Sequence, residues 1–418
     1  MVVTANADPP RQTPSPEPRR RSPAMRQRLI RARIAAIRLG FRLGRLMPLR
    51  THVVLASSQD RQLTGNLARI GREIGARLPG TRVVTLGQRP EPGRRGKLRG
   101  LVHGFVAGYH LATARLFVVD SHFTPIYVVT PRAGTTIVQT WHACGAIKKI
   151  GYSVLDKAFG ADELTVSMVP IHANYTLCLA ASDAAAWQFV DAFRQPRELF
   201  VTDLGIPRTD LLFGDQRSDE TSAAIRRRYG LDDGRRVILY APTFRGESML
   251  KARFHDGLDV ARLRDVLGED HVLLVRLHPA VRDELAIDPG LADFVVDVSD
   301  WPEMNELLPV VDVLVTDYSS VIFEFALLGR PMAFFAPDID DYDAERGFYF
   351  DYRTGVPAPV FETTEPLAAY LRAGDFDLGA VRAFAGLWFE VADGHASERF
   401  VERVVRPALA GEPLSRGI

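Results

Sequence analysis

The chain has 418 residues, 46% hydrophobic and 25% charged, enough for two or three domains, and no uninterrupted apolar run long enough to span a bilayer. Its two cysteines, Cys144 and Cys178, argue against a disulfide framework and for a reducing compartment. The net charge of +1 conceals a segregation: residues 1–50 hold twelve arginines against only Asp8 and Glu17, so a basic arm precedes an acidic body. Such an arm calls for an acidic partner, either nucleic acid or an anionic membrane.

Residues 1–24 are rich in Pro and Arg and read as a disordered tail, with no apolar segment of the kind a secretory signal carries. Residues 25–50 change pattern. Ile30, Ile34, Ile37 and Phe41 fall on one helical face, with Arg31, Arg38, Arg42 and Arg45 beside it. This predicts a basic amphipathic helix lying in a membrane interface, apolar side in and guanidinium groups toward lipid phosphates. The other reading is a terminal helix docked on the protein's own core. Nucleic-acid binding would want aromatic platforms among the arginines. The arm offers only Phe41, so no nucleic-acid partner is expected.

From Thr51 the chain alternates strand-like and helix-like pieces, as an α/β fold does. Strands are predicted at 51–57, 81–87, 114–120, 135–141 and 176–182, then at 235–243, 271–279, 294–299, 311–317 and 331–337. The stretch 206–234 has few strand signals and several turn residues. It divides the chain into Rossmann-like halves at 51–205 and 206–418, with ligands expected in the cleft between them, at the carboxyl ends of strands. Neither a GxGxxG motif nor a Walker loop occurs.

Four polar constellations stand directly after predicted strands. In QTWHACGAIKKIG, His142 ends a strand, Gly145 allows close backbone approach, and Lys148 and Lys149 bring positive charge. Such a histidine serves as readily for structure as for general-base chemistry near a phosphate. LYAPTFRG places Thr243 and Arg245 after a strand. VRLHPAVR offers Arg276, His278 and Arg282. VDVLVTDYSSVIFEFALLGRP gives Asp317, Ser319, Ser320 and Glu324 at a strand–turn–helix junction, where the first N–H groups of a helix lack internal partners and favour anions. Together these are the parts of phosphoryl transfer: cations and N–H donors for phosphate oxygens, and an imidazole for the attacking hydroxyl. No His-x-x-x-His, Cys-x-x-Cys or dense carboxylate cluster supports a metal, and no cofactor is expected. Cys144 is a poor nucleophile candidate, because it is too near His142 in sequence for the two to face each other productively.

The motifs QTWH…KKIG, GIPRTD (Gly205–Asp210), LYAPTFR, RLHP, TDYSS and RGFYFDY (Arg346–Tyr352) resemble, in order and spacing over residues 51–400, the CDP-glycerol glycerophosphotransferase family of teichoic-acid primases and polymerases. The resemblance implies a GT-B fold of two Rossmann-like domains: an acceptor-side domain at 51–205 and a CDP-donor-binding domain at 206–418. It also implies transfer of a polyol phosphate, glycerol phosphate first, from a CDP-activated donor to a lipid-linked or polymer acceptor at the cytoplasmic membrane face, with release of CMP. By the same resemblance His142 is the base, and His278 and the Ser319–Ser320 helix start hold the donor pyrophosphate. The remaining motif residues Thr243, Arg245, Arg276, Asp317 and Glu324 are expected around the donor, and Lys148 and Lys149 on the acceptor side. Many members read Trp-His-Gly-Thr where this chain has Trp-His-Ala-Cys, a difference in the acceptor-side loop. The rival expectation is a GT-B glycosyltransferase or nucleotide-sugar epimerase working on a UDP-sugar.

Overall fold

The computed structural model describes residues 23–59, 61–88, 91, 93–155, 157, 163–214, 219–246, 254, 257–278, 281 and 285–414; for 23, 163 and 164 it describes the backbone alone. Most of the predicted tail and Arg282 lie outside the described residues. Two six-stranded, all-parallel sheets form the two halves, as the alternating sequence predicts. The first sheet contains β1 (Arg50–Ser57), β2 (Arg82–Gly87), β3 (Ala114–Val119), β4 (Thr136–Gln139), β5 (Leu177–Leu179) and β6 (Phe200–Val201), in the order β2-β1-β3-β4-β5-β6. The second contains β7 (Arg236–Ala241), β8 (His271–Val275), β9 (Val295–Asp297), β10 (Val313–Thr316), β11 (Met332–Phe335) and β12 (Val360–Phe361), in the order β12-β11-β10-β7-β8-β9. Central strands such as β8 and β10 are buried at every position, which is why they read as unbroken apolar runs. Two strands were not legible: β6 and β12 are two residues long and lie at sheet edges, too short for any periodic pattern.

Both strand orders reverse direction once. In the first sheet the chain steps outward from β1 to β2, then returns to the other side of β1 with β3. In the second it steps from β7 through β8 to β9, then returns beside β7 with β10. At such reversals the following segments diverge and leave a crevice at the carboxyl ends of the strands. The segments leaving β1, β3 and β4 carry Gln59, Asp120 and His142; those leaving β7, β8 and β10 carry Thr243, His278 and Asp317.

The first sheet ends with β6 and the second begins with β7, but the end of the chain crosses back. After the Leu378–Trp388 helix the chain returns to the first half: Glu390 N–H donates to the Ala181 carbonyl at 2.9 Å, and the Ala396 and Ser397 N–H groups donate to the Asp210 carboxylate at 2.9 and 2.8 Å. The C-terminal helices therefore tie the two halves together, a long-range fact without a local sequence signal.

The N-terminal helix α1 (Pro23–Gly44) forms as the periodicity predicts, but its apolar stripe does not face outward. Ile37 and Phe41 are 0% and 5% exposed, Ile34 is buried and Ile30 partly so. They pack with helix α3 (Gly93–Thr113), and the helices approach backbone to backbone because glycines line the contact. A Cβ at Gly108 would lie 2.1 Å from the Ile37 carbonyl oxygen, and one at Gly40 would lie 1.9 Å from that of Phe105. The interfacial reading of the Ile30, Ile34, Ile37 and Phe41 face is thus overturned. Apolar area gains as much from a neighbouring helix as from lipid, and the glycines let that helix come close.

Candidate active site

His142 follows β4 through a strained turn. Trp141 has φ 52°, in the left-handed region that a bulky side chain avoids. Its surroundings hold it there. Its N–H donates to Gln139 Oε1 at 2.8 Å, and Asn66 Nδ2 donates to its carbonyl at 2.9 Å and to that of Thr140 at 3.1 Å. Its ring packs against Phe193, centroids 5.2 Å apart. Behind it Gln139 Nε2 donates to the Tyr175 hydroxyl at 2.9 Å, which is 2.6 Å from that of Tyr127. Asn66 opens α2 (Gly65–Arg77), so three elements fix one peptide.

The strain aims the imidazole. His142 Nδ1 lies 3.0 Å from the Asp120 backbone carbonyl at the end of β3, and the Gln59 amide lies 3.1 Å from the same nitrogen. A backbone carbonyl can only accept, so Nδ1 carries the proton, the Gln59 amide nitrogen (itself a donor) makes no bond to it, and the imidazole Nε2 lone pair is left for the cleft. Desolvation, with Arg208 and Lys148 nearby, holds the pKa below the ordinary histidine value, keeping the ring neutral near pH 7. A neutral imidazole with a fixed tautomer and a free lone pair can act as a general base.

Beyond His142 the chain runs directly onto the other half. Lys149 N–H donates to the Gly347 carbonyl at 3.0 Å and Tyr349 N–H to the Ile147 carbonyl at 2.9 Å, with Lys148 paired antiparallel to Phe348. The KKIG and RGFYFDY motifs are therefore two edges of one inter-domain ribbon. Gly145 sits where a Cβ would come 2.8 Å from the Phe323 ring, the close approach expected of it. Gln188 holds the turn by accepting from Ala146 N–H and donating to its carbonyl, both at 2.8 Å.

Opposite stands His278, after β8, its ring 4.8 Å from that of Phe244. Burial lowers its pKa to about 4, with Lys148, His142, Arg276 and Arg346 acting in the same direction. His142 and Lys148 are therefore within electrostatic reach of His278. Ser319 and Ser320, both half-buried, precede the Val321–Ala326 helix. The Ser320 hydroxyl makes no capping bond to it, and Ser319 Oγ accepts from Val321 N–H only at 3.4 Å. That helix is a short six residues, so its dipole is weaker than the apolar pattern suggests.

The other predicted donor residues lie beneath this surface. Asp317, 2% exposed, accepts from Thr243 N–H at 2.8 Å and Thr243 Oγ1 at 3.0 Å and pairs with Arg245 at 3.0 Å. Arg245 also forks onto Asp338 at 2.6 and 2.9 Å, beside the stacked Tyr318 and Tyr342 rings. Arg276, 6% exposed, is turned toward the Pro302 carbonyl at 3.4 Å. Glu324, 2% exposed, pairs with Arg208 at 3.3 Å. Of the residues expected around the donor, Thr243, Arg276, Asp317 and Glu324 are buried and Arg245 is half-buried. Thr243, Arg245 and Asp317 bond to one another, as buried charge requires, whereas Arg276 Nη1 and Glu324 Oε2 have no hydrogen-bond partner among the described residues.

Sequence reasoning passed over Arg208, Gln59, Asp120, Asn66 and Gln139. Arg208 lies inside GIPRTD, in the stretch with few strand signals, so no strand end marks it. Gln59 and Asp120 follow predicted strands and could have been flagged by that position alone.

A family model described as CDP-Glycerol:Poly(glycerophosphate) glycerophosphotransferase matches residues 40–406. A teichoic acid ribitol-phosphate primase of Bacillus spizizenii is 35% identical over 363 residues, covering 86% of this chain and 92% of its own length. The teichoic acid ribitol-phosphate polymerase TarL of Staphylococcus aureus is 33% identical over 310 residues, 73% of this chain and 54% of its own. The chain therefore spans nearly all of the primase and about half of the polymerase. The solved structure of the wall teichoic acid polymerase TagF superimposes with a TM-score of 0.73 at 22% identity, covering 92% of this chain and 96% of that one. UDP-GlcNAc 2-epimerase from Neisseria meningitidis gives 0.53 at 12% identity over 85% of this chain and 100% of its own, a likeness of fold alone. The architecture is GT-B, and the chain belongs to the CDP-glycerol:poly(glycerophosphate) glycerophosphotransferase family.

Proposed function

We propose that this enzyme transfers a polyol phosphate from a CDP-polyol to an acceptor hydroxyl and releases CMP. The observation that supports the reading is a neutral His142, its tautomer fixed by the Asp120 carbonyl, within electrostatic reach of His278 and Lys148. The acceptor hydroxyl gives its proton to His142 Nε2 as its oxygen attacks the polyol-bearing phosphorus. A new P–O bond forms, the bond to the CMP oxygen breaks, and CMP leaves with that electron pair. His278 donates a hydrogen bond to the diphosphate, and the incoming negative charge favours its protonation. Lys148 neutralises charge that builds on the phosphoryl oxygens. Incubating the purified protein with CDP-glycerol and CDP-ribitol in turn, with membrane extract as acceptor source, tests the reading. CMP release with either donor supports it; turnover of a UDP-sugar in place of both overturns it.

The hydroxyls of Ser319 and Ser320 are proposed to bind the donor diphosphate. Replacing both with Ala should raise the donor KM at least tenfold, since hydrogen bonds to charged groups are worth about 1.5–3 kcal/mol each. Steady-state kinetics with donor and acceptor varied separately checks this. A raised acceptor KM with unchanged donor KM would move the serines to the other substrate.

The acceptor is proposed to be presented at the cytoplasmic membrane face, with α1 as the attachment. The face that does this differs from the one the sequence suggests. Leu39, Leu43 and Leu46 recur at i, i+4 and i+7, are 52%, 44% and 77% exposed, and lie among Arg38, Arg42 and Arg45. Among the described residues no helix is long and apolar enough to cross a membrane. Deleting the helix would strip the core that Ile37 and Phe41 fill, so point changes are the cleaner test. Leu39→Glu with Leu43→Glu should abolish sedimentation with anionic vesicles while leaving the melting temperature nearly unchanged. Undiminished vesicle binding would remove α1 from this role.

A further inference from the structure

Arg208 stands where the His142 loop and the helices that carry Asn66, Asn305 and Glu324 meet. Its guanidinium Nη1 donates to the His142 carbonyl, and its Nε lies 3.3 Å from Glu324 on the helix that follows Ser319 and Ser320. Its own backbone is pinned on both sides: its N–H donates to Asn66 Oδ1 at 2.9 Å, and Asn305 Nδ2 donates to its carbonyl at 3.1 Å. Gly65 N–H donates to Glu303 Oε2 at 2.8 Å beside it. Asn66 is the residue that also holds the Trp141 carbonyl, so the strained turn and the arginine share one clamp. Glu324 is almost wholly buried, with the Cys144 thiol next to it, and burial pushes its carboxyl up while Arg208 opposes the shift.

A buried ion pair of this kind adds little net stability compared with an apolar pair of the same volume. What it supplies here is geometry: one planar fork reaches both the peptide that carries the acceptor-side imidazole and the helix that opens the donor-side turn. We propose that Arg208, paired with Glu324, is a positioning residue that locks His142 in register with the Ser319–Ser320 donor turn. The proposal rests on the reading of His142 as the base. It adds that the two half-sites are set by one side chain rather than by separate supports.

The test uses the full-length enzyme with the CDP-polyol it turns over and membrane extract as acceptor source. Arg208→Gln should lower kcat about 100-fold, the scale set by misplacing a reacting group by about 1 Å. Donor affinity, read by calorimetry, should stay within about threefold. Arg208→Lys keeps the charge but cannot bridge both partners, so it should lose a similar factor in kcat. The double variant Arg208→Gln/Glu324→Gln leaves no buried charge unpaired, so it should fold while its kcat stays at the level of Arg208→Gln alone.

A pH profile separates positioning from folding. Charged or titratable groups facing His142 are Lys148 from its own loop, Asp120 at the end of β3, His278 after β8, and Arg208. Removing the Arg208 cation relieves one downward pull, so the acid limb of kcat/KM should move to higher pH in Arg208→Gln and stay in place in Arg208→Lys. The proposal is overturned if the folded double variant keeps wild-type kcat, if the loss in Arg208→Gln lies wholly in donor affinity, or if its acid limb does not move. His142→Ala assayed alongside keeps the two ideas apart. An active His142→Ala sinks the base assignment, whereas an inactive one beside an active Arg208→Gln sinks only the positioning role.

Discussion

His142→Ala should remove transfer almost completely, by on the order of 10²–10⁴ in kcat, while leaving the fold intact. The imidazole is held through Nδ1–H, which donates to the Asp120 carbonyl, at the half-buried edge of a cleft, so its loss opens little core. The sign of the pH dependence follows from the lowered pKa. A base depressed by desolvation is already deprotonated at pH 6.5, so kcat/KM should hold steady through the usual histidine range and fall only on further acidification. Stopped assays of CMP release across pH 5–8, with circular dichroism at each pH, check both parts. A variant keeping more than about half of normal turnover would show that another group takes the proton.

Asp317→Ala should act on a different quantity. It removes the acceptor of two Thr243 donors and one of the two carboxylates on Arg245. Breaking a buried pair from one side costs about 3–5 kcal/mol. At about 2–4 °C per kcal/mol for a domain of this size, the melting temperature should fall by roughly 6–20 °C. Asp317→Asn keeps an acceptor for the Thr243 N–H and should lose less. The alternative outcome is equally readable: an unchanged melting temperature with a raised donor KM would return Asp317 to direct contact with the donor. Because the Asp317 carbonyl also accepts from the Tyr352 hydroxyl at 2.7 Å, the RGFYFDY segment should loosen with it, seen as faster amide exchange around Tyr349–Tyr352.

The sequence by itself determined the two parallel sheets, because strands such as VLLV and VLVT must be buried on both faces to be so uniformly apolar. It also marked the loops that leave at the carboxyl edge, since polar residues placed directly after buried strands emerge there whatever the helices do. His142, His278, Lys148 and the Ser319–Ser320 turn were all legible on that ground. The tertiary structure alone decided which polar residues face the cleft and which support it. Asp317 and Ser319 are two positions apart in one motif, yet one is buried under Arg245 and the other lines the turn, a choice made by partners 70 or more residues away. It alone decided the strain at Trp141, which is sustained by Asn66 and Phe193 from other elements. It also alone decided the direction of α1. A helical stripe of isoleucines specifies that a face must be buried but not against what, and glycines far along the chain in α3 supplied the answer. Local pattern encodes burial and exit points, whereas pairing of charges and choice of packing partner depend on contacts between residues distant in sequence.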